Sequence, residues 1–201
     1  MKAYVAVLIL AFMIGLPQAV RAQVTPPPVP AAIEVPAGFK PYLIAHAVGT
    51  QGYMCVQVGS AFTWAQFGPQ ATLFNEDNEQ ILTHFLSPTP YSLLPAPTWQ
   101  TSRDSSAVWG QPIASSSDPA FVAPGAIAWL LLEAAVVGSG PNGGERLVPT
   151  RYIQRVNTFE GAAPTTGCSA PEQVKSRALV YYEADYVFYK EKVRNVTDDG
   201  K

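Results

Sequence analysis

"AIAWLLLEAAVVGSGPNGGERLVPTRYIQRV", residues 126–156, is the stretch on which the fold turns. Leucine and alanine favour a helix over Ala126–Val137, and the run is long enough for one. Against a helix, Pro124-Gly125 precedes the run, Val136-Val137 close it, and "GSGPNGG" follows. A Gly/Asn/Pro-rich connection between two long runs is a hairpin pattern. A continuous apolar run also suits a strand buried on both faces. Periodicity alone does not arbitrate, and we read a strand over residues 126–137. "TRYIQRV" (Thr150–Val156) then alternates as a strand, with Arg151, Ile153 and Arg155 on one face and Tyr152, Gln154 and Val156 on the other.

The pattern extends in both directions. "YMCVQV", "FTWAQF" and "ATLF" are aromatic and β-branched, separated by breaks at Gly59-Ser60 and Gly68-Pro69. "NEDNEQ" (Asn75–Gln80) is a polar turn joining "ATLF" to "ILTHFL" as a hairpin. "SPTPYSLLPAPTW" has four prolines in thirteen residues and reads as a long surface loop. "SAVWGQPIA" is a strand candidate broken at Pro112, and "ALVYYEADYVFY" (Ala178–Tyr189) is extended. With no regular alternation of strand and helix, the expected fold is all-β. It is an antiparallel sandwich or barrel-like domain of about eight to ten strands with long proline-rich loops.

The first residues give an address. Lys2 precedes an apolar run from Ala3 to Leu16, and Val20-Arg21-Ala22 supplies small residues at a cleavage point. That is the layout of a secretory signal peptide over residues 1–22, with cleavage after Ala22. The run is short of the ~20 residues that a spanning helix needs. Residues 23–41 form a proline-rich extended leader, 42–190 a single β-domain, and 191–201 a charged flexible tail with an Asn195-Val196-Thr197 glycosylation triplet. The expected location is periplasmic or secreted.

Cleavage removes Lys2 and Arg21 but no acid, so the formal charge moves from −2 to −4. Without a basic excess, nucleic acid is not an expected partner, nor is membrane insertion after signal cleavage. Export puts Cys55 and Cys168 in an oxidising compartment, where an even count reads as a disulfide. A zinc or redox site is the rival reading. The two cysteines lack the close spacing of a zinc knuckle or a Cys-x-x-Cys motif.

Little in the sequence carries chemistry. His46 and His84 are the only histidines, so no three-histidine zinc site is available. Neither a Gly-x-Ser-x-Gly elbow nor a phosphate loop occurs, and neither metal nor cofactor is expected. His84 with Asp104 and Ser106 could support nucleophilic chemistry. The same residues could instead form a turn and a half-buried strand position. Arg151 and Arg155 could grip an anion, or pair with Glu133, Glu183 or Asp185 across the sheet. Trp64, Trp99, Trp109 and Trp129 could stack on a sugar, although such rings more often belong to a core. Trp99, in the proline-rich loop, is the best candidate for an exposed ring.

Several marks in a fixed order resemble a family of exported bacterial and fungal proteins, domain of unknown function 3455. They are "YMC", "GPQATLF" leading to "THF", "PTW", "DSSAVWG", "AIAWLLL", "YIQRVNTFEGAAP" with Cys168, and "YEADYVFY". The resemblance spans about Ile33 to Tyr189. It implies export, a β-rich domain and a Cys55–Cys168 bridge, but no activity. His84, Trp99, Asp104, Arg155, Asn157 and Asp185 match the pattern and form a candidate shared site. Ser105 and Glu160 stand where the family tends to have glycine, which suggests reshaped turns. Two function classes follow. One is a binding domain for a sugar or cell-envelope component, through Trp99, Arg155, Asn157 and Asp185. The other is a hydrolase around His84, Asp104 and Ser106. Oligomeric state is not readable.

Overall fold

The computed structural model describes residues 24–193, so the signal segment and the Asn195 triplet lie outside the described residues. Eight antiparallel strands follow one another around a closed barrel: β1 (Phe39–Val58), β2 (Ala61–Phe74), β3 (Gln80–Thr89), β4 (Ser92–Thr101), β5 (Ala107–Ser116), β6 (Trp129–Gly138), β7 (Tyr152–Glu160) and β8 (Arg177–Glu191). Closure comes from β1 pairing with β8 along its length, from Phe39↔Glu191 to Met54↔Arg177. The run at residues 126–137 is strand from Trp129 onward, because its leucines meet neighbours on both sides. Leu132 is buried inside the barrel, and Leu131 is buried on the outside.

Alternate residues of each strand fill the interior. Ala45, Ala47, Leu82, Trp99, Val108, Leu132, Ile153, Ala184, Tyr186 and Phe188 form this inner core. A second cluster lies outside the wall, where Ile33, Val122, Trp129, Leu131, Val156 and Val187 pack together. The segment expected to be an extended leader contributes here. It makes a 3-10 turn at Ala31–Ile33, Ile33 is fully buried, and Gln154 Nε2 donates to the Ile33 carbonyl at 2.6 Å. Proline-rich chain packs well when its few donors are not needed and its apolar side chains cover a sheet face.

Two expected breaks are bends within strands. Gly68-Pro69 lies inside β2, where Gly68 has φ +138° and a Cβ would come within 2.7 Å of Leu86. β5 runs through Pro112, with a register slip between Pro112 and Ala114.

The expected surface loop at Ser87–Trp99 is instead a hairpin of β3 and β4, with Leu86↔Pro97 and Pro88↔Pro95 in register. Prolines are tolerated because this arm has free flanks. β2 pairs with β3 only as far as His84, and β5 pairs with β4 only at Thr98–Gln100. Beyond those points the hairpin has edges on both sides, where a missing N–H costs nothing.

Candidate functional site

The barrel is plugged at one end and hollow toward the other. At the plugged end, the β4–β5 turn and the loop of residues 139–150 are joined through Asp104. Its carboxylate accepts from the Thr101 hydroxyl, from Ser106 N at 2.9 Å and Oγ at 2.7 Å, and from Arg146 N at 3.0 Å. Ser106 Oγ in turn accepts from Leu147 N at 3.1 Å, and Leu147 is buried in the inner core. Burial opposes the charge on Asp104, but these donors outweigh it and hold the carboxyl well below the usual range. The glycine-rich "GSGPNGG" makes the seat. A Cβ at Gly140 would lie 1.7 Å from the Asp104 carbonyl oxygen, and one at Gly144 would lie 2.4 Å from Asp104 Cβ.

Toward the opposite end, a cavity of about 340 Å³ opens among the strands. Leu86, Pro97, Pro112, Leu130 and Leu132 give it an apolar wall, and Gln51, Gln66, His84, Trp99, Arg155 and Tyr186 give it polar groups. His84 is buried, and its Nδ1–H donates to the Thr98 carbonyl at 2.8 Å. That bond fixes the tautomer and leaves Nε2 as an acceptor. Burial pushes the pKa of His84 down to about 3, the backbone bond opposes this, and the Arg155 charge adds to the depression. The imidazole is therefore neutral. Its ring stacks on Trp99 with centroids 4.2 Å apart and planes 7° from parallel, and Tyr186 meets both rings edge-on.

Arg155 supplies the only formal charge of the lining. Its Nε and Nη2 donate to the Ala128 carbonyl at 3.1 and 2.7 Å, and it reaches the Tyr186 hydroxyl. Among the described residues no carboxylate lies within ion-pair distance of it. The expected partners Glu133, Glu183 and Asp185 face away, because β7 turns Arg155 inward; Arg151 pairs with Glu191 instead. Nearby, Gln66 donates to Gln51 Oε1, while Gln51 Nε2 and Trp99 Nε1 are buried donors with no partner among the described residues.

The remaining candidates separate into places. His84, Trp99 and Arg155 meet in the cavity. Asp104 and Ser106 belong to the plug, and no hydrogen bond joins either of them to His84. Asn157 and Asp185 meet on the outer surface. There Asn157 Nδ2 donates to Asp185 Oδ2 at 2.7 Å, and His46 bridges Asp185 at 2.6 Å and Glu76 at 3.1 Å. Burial disfavours charge on His46, but the two carboxylates more than compensate and raise its pKa.

Trp99 is not an exposed ring. It is 1% exposed, and His84 occupies one face. The proline-rich segment is strand rather than loop, and a strand turns alternate side chains, Trp99 among them, inward. Gln51, Gln66 and the prolines of the cavity wall carry no motif that marks them as site residues. The available signal was a glutamine at an inward position of an apolar strand. Ser105 and Glu160 have φ values of 57° and 53°, so both non-glycine residues sit in the left-handed region that glycine favours.

Cys55 and Cys168 are bonded, with their Cα atoms 5.4 Å apart. The bridge ties β1 near its end to the β7–β8 connection, alongside backbone bonds Cys55 N to Ser176 O and Lys175 N to Cys55 O, each 2.9 Å.

No curated protein and no solved structure matches the chain. A family profile described as protein of unknown function (DUF3455) matches residues 36–190, from the approach to β1 to the penultimate residue of β8. That span contains the whole barrel wall but for Glu191, together with both cysteines, and the chain therefore belongs to the DUF3455 family.

Proposed function

We propose that this protein is a non-catalytic binding barrel that works outside the cytoplasm and holds a small amphiphilic acid in its cavity. The observation that carries the reading is Arg155, an unpaired guanidinium lining a chamber of about 340 Å³ whose other walls are mostly apolar. Its hydrogen bonds go to a carbonyl and a hydroxyl, so this half-buried cation has no opposite charge beside it and is open to an anion. A ligand carboxylate matches the guanidinium fork. Gln51 Nε2 and Trp99 Nε1 add unused donors, and the apolar body of the ligand lies against Leu86, Pro97, Pro112 and Leu130. The volume falls in the ordinary range for small-molecule sites. Export is supported by the signal-like first 22 residues and by a disulfide that suits an oxidising compartment.

A neutral sugar has less support, because the Trp99 face it would stack on is covered by His84. A hydrolase has less still, because the serine and the aspartate serve the plug.

The test is a thermal-shift series of medium-chain and aromatic carboxylic acids, their matched primary amides, and neutral oligosaccharides. It is run on the wild type and on Arg155→Met. The acids should raise Tm by roughly 5–10 °C at a hundred times Kd, in wild type only. Oligosaccharides binding equally well to both proteins, or amides binding as well as acids, would overturn the assignment.

A further inference from the structure

We propose that the tip of the β3–β4 hairpin is a wedge that inserts into the interfacial layer of a lipid bilayer. Tyr91, Leu93 and Leu94 are 86%, 92% and 77% exposed, on an arm that extends past the pairing of both flanking strands. Scattered exposed leucines mean little, but these three large apolar side chains fall within four residues at the tip of one protruding arm, where water disfavours them. From Ile81 to Ser102 the chain contains no Asp, Glu, Lys or Arg, so no charge must be desolvated when the arm enters lipid.

The backbone is prepared in the same way. Pro88, Pro90, Pro95 and Pro97 have no N–H to bury. Tyr91 N donates to Thr89 Oγ1 at 3.2 Å, and Leu94 N donates to Ser92 Oγ at 3.1 Å. Local hydroxyls thus take donors that hydrocarbon could not. Tyr91 supplies the amphipathic ring suited to the headgroup level.

A bilayer fits this tip better than a second copy of the chain. The three side chains offer a few hundred Å² at most, whereas a stable protein pair buries ~800 Å² on each partner. A bilayer accepts a small convex wedge without shape complementarity. Net charge and the length of a spanning segment do not bear on a short apolar tip, and with no Lys or Arg on the arm nothing draws it to anionic over zwitterionic lipid. Leu86 and Pro97, on the same arm, line the cavity, so the tip would hold the cavity close to the membrane. The wedge does not depend on what Arg155 binds.

The experiment is co-sedimentation with phosphatidylcholine vesicles, using the oxidised chain from Gln23 onward so that the apolar run Ala3–Leu16 contributes nothing. All eight strands lie within that chain. Wild type should sediment with vesicles. The triple variant Tyr91→Ser/Leu93→Ser/Leu94→Ser, with an unchanged melt, should lose at least roughly a hundredfold in partitioning. In Leu93→Trp, the new indole should be quenched by brominated acyl chains. Failure of wild type to sediment, equal partitioning of the triple variant, or an unquenched indole would each overturn the wedge. So would tip-dependent self-association without vesicle binding.

Discussion

Replacing Asp104 by alanine should destabilise the barrel by about 3 kcal/mol while leaving the cavity chemistry in place. The carboxylate receives two bonds from Ser106, which is fully buried, and further bonds from the Thr101 hydroxyl and Arg146 N. Hydrogen bonds to a charged group contribute ~1.5–3 kcal/mol each, and exposed ones are largely replaced by water. Counting only the two Ser106 bonds at the low end gives about 3 kcal/mol, or a Tm lower by roughly 6–12 °C for a chain of this size. Asp104→Asn keeps the shape but loses the charge, and should cost about half as much. The carboxyl pKa is depressed in the folded state, so its contribution is complete above the unfolded value near ~3.9 and is lost as pH falls through the lower folded value. The gap between wild type and Asp104→Asn should therefore be constant above about pH 5 and narrow from about pH 4 downward. Urea melts of the oxidised protein across that range measure it. If Asp104→Ala melts with wild type, or the gap is flat down to pH 2, the plug is not held as described.

Ser105→Gly and Glu160→Gly relieve left-handed backbone at φ 57° and 53°, and each should add about 1 kcal/mol to stability in chemical denaturation. Loss of the bridge in Cys55→Ser/Cys168→Ser releases a loop spanning 113 positions and should cost about 4–5 kcal/mol by chain entropy, read from the shift in urea midpoint. Proton NMR should show His46 titrating above its ordinary 6.5 and His84 remaining neutral through pH 5. The two histidines pull stability in opposite directions. His84 favours folding more as pH rises from about 3 to 6.5, whereas the help from His46 is full below 6.5 and lost as pH climbs through its raised value.

The all-β architecture was legible because most strands are dense in aromatic and β-branched residues, and because "GSGPNGG" separates two of them. The cysteine pair was legible from its even count together with the expectation of export. What misled was proline. In a strand with paired neighbours it would break the ladder, but at Pro88, Pro95 and Pro97 the arm has no outer neighbour to miss the bond. Which face of a strand looks inward also depends on closure. The alternation of Ile153 and Arg155 was plain, yet only the β6–β7–β8 register turns that face toward the lumen. Asp104 and Ser106 stand two apart and suggested chemistry, because a turn and a catalytic loop draw on the same small polar residues.

Closure through the first and last strands also governs how the molecule comes into being. Neighbouring hairpins can zip as the polypeptide emerges, but β1 waits for residues 177–191 before its outer ladder is satisfied. Until then two long edges stand open and prone to sticking to other chains. A message truncated even one strand early would therefore yield an aggregating ribbon rather than a slightly shorter barrel.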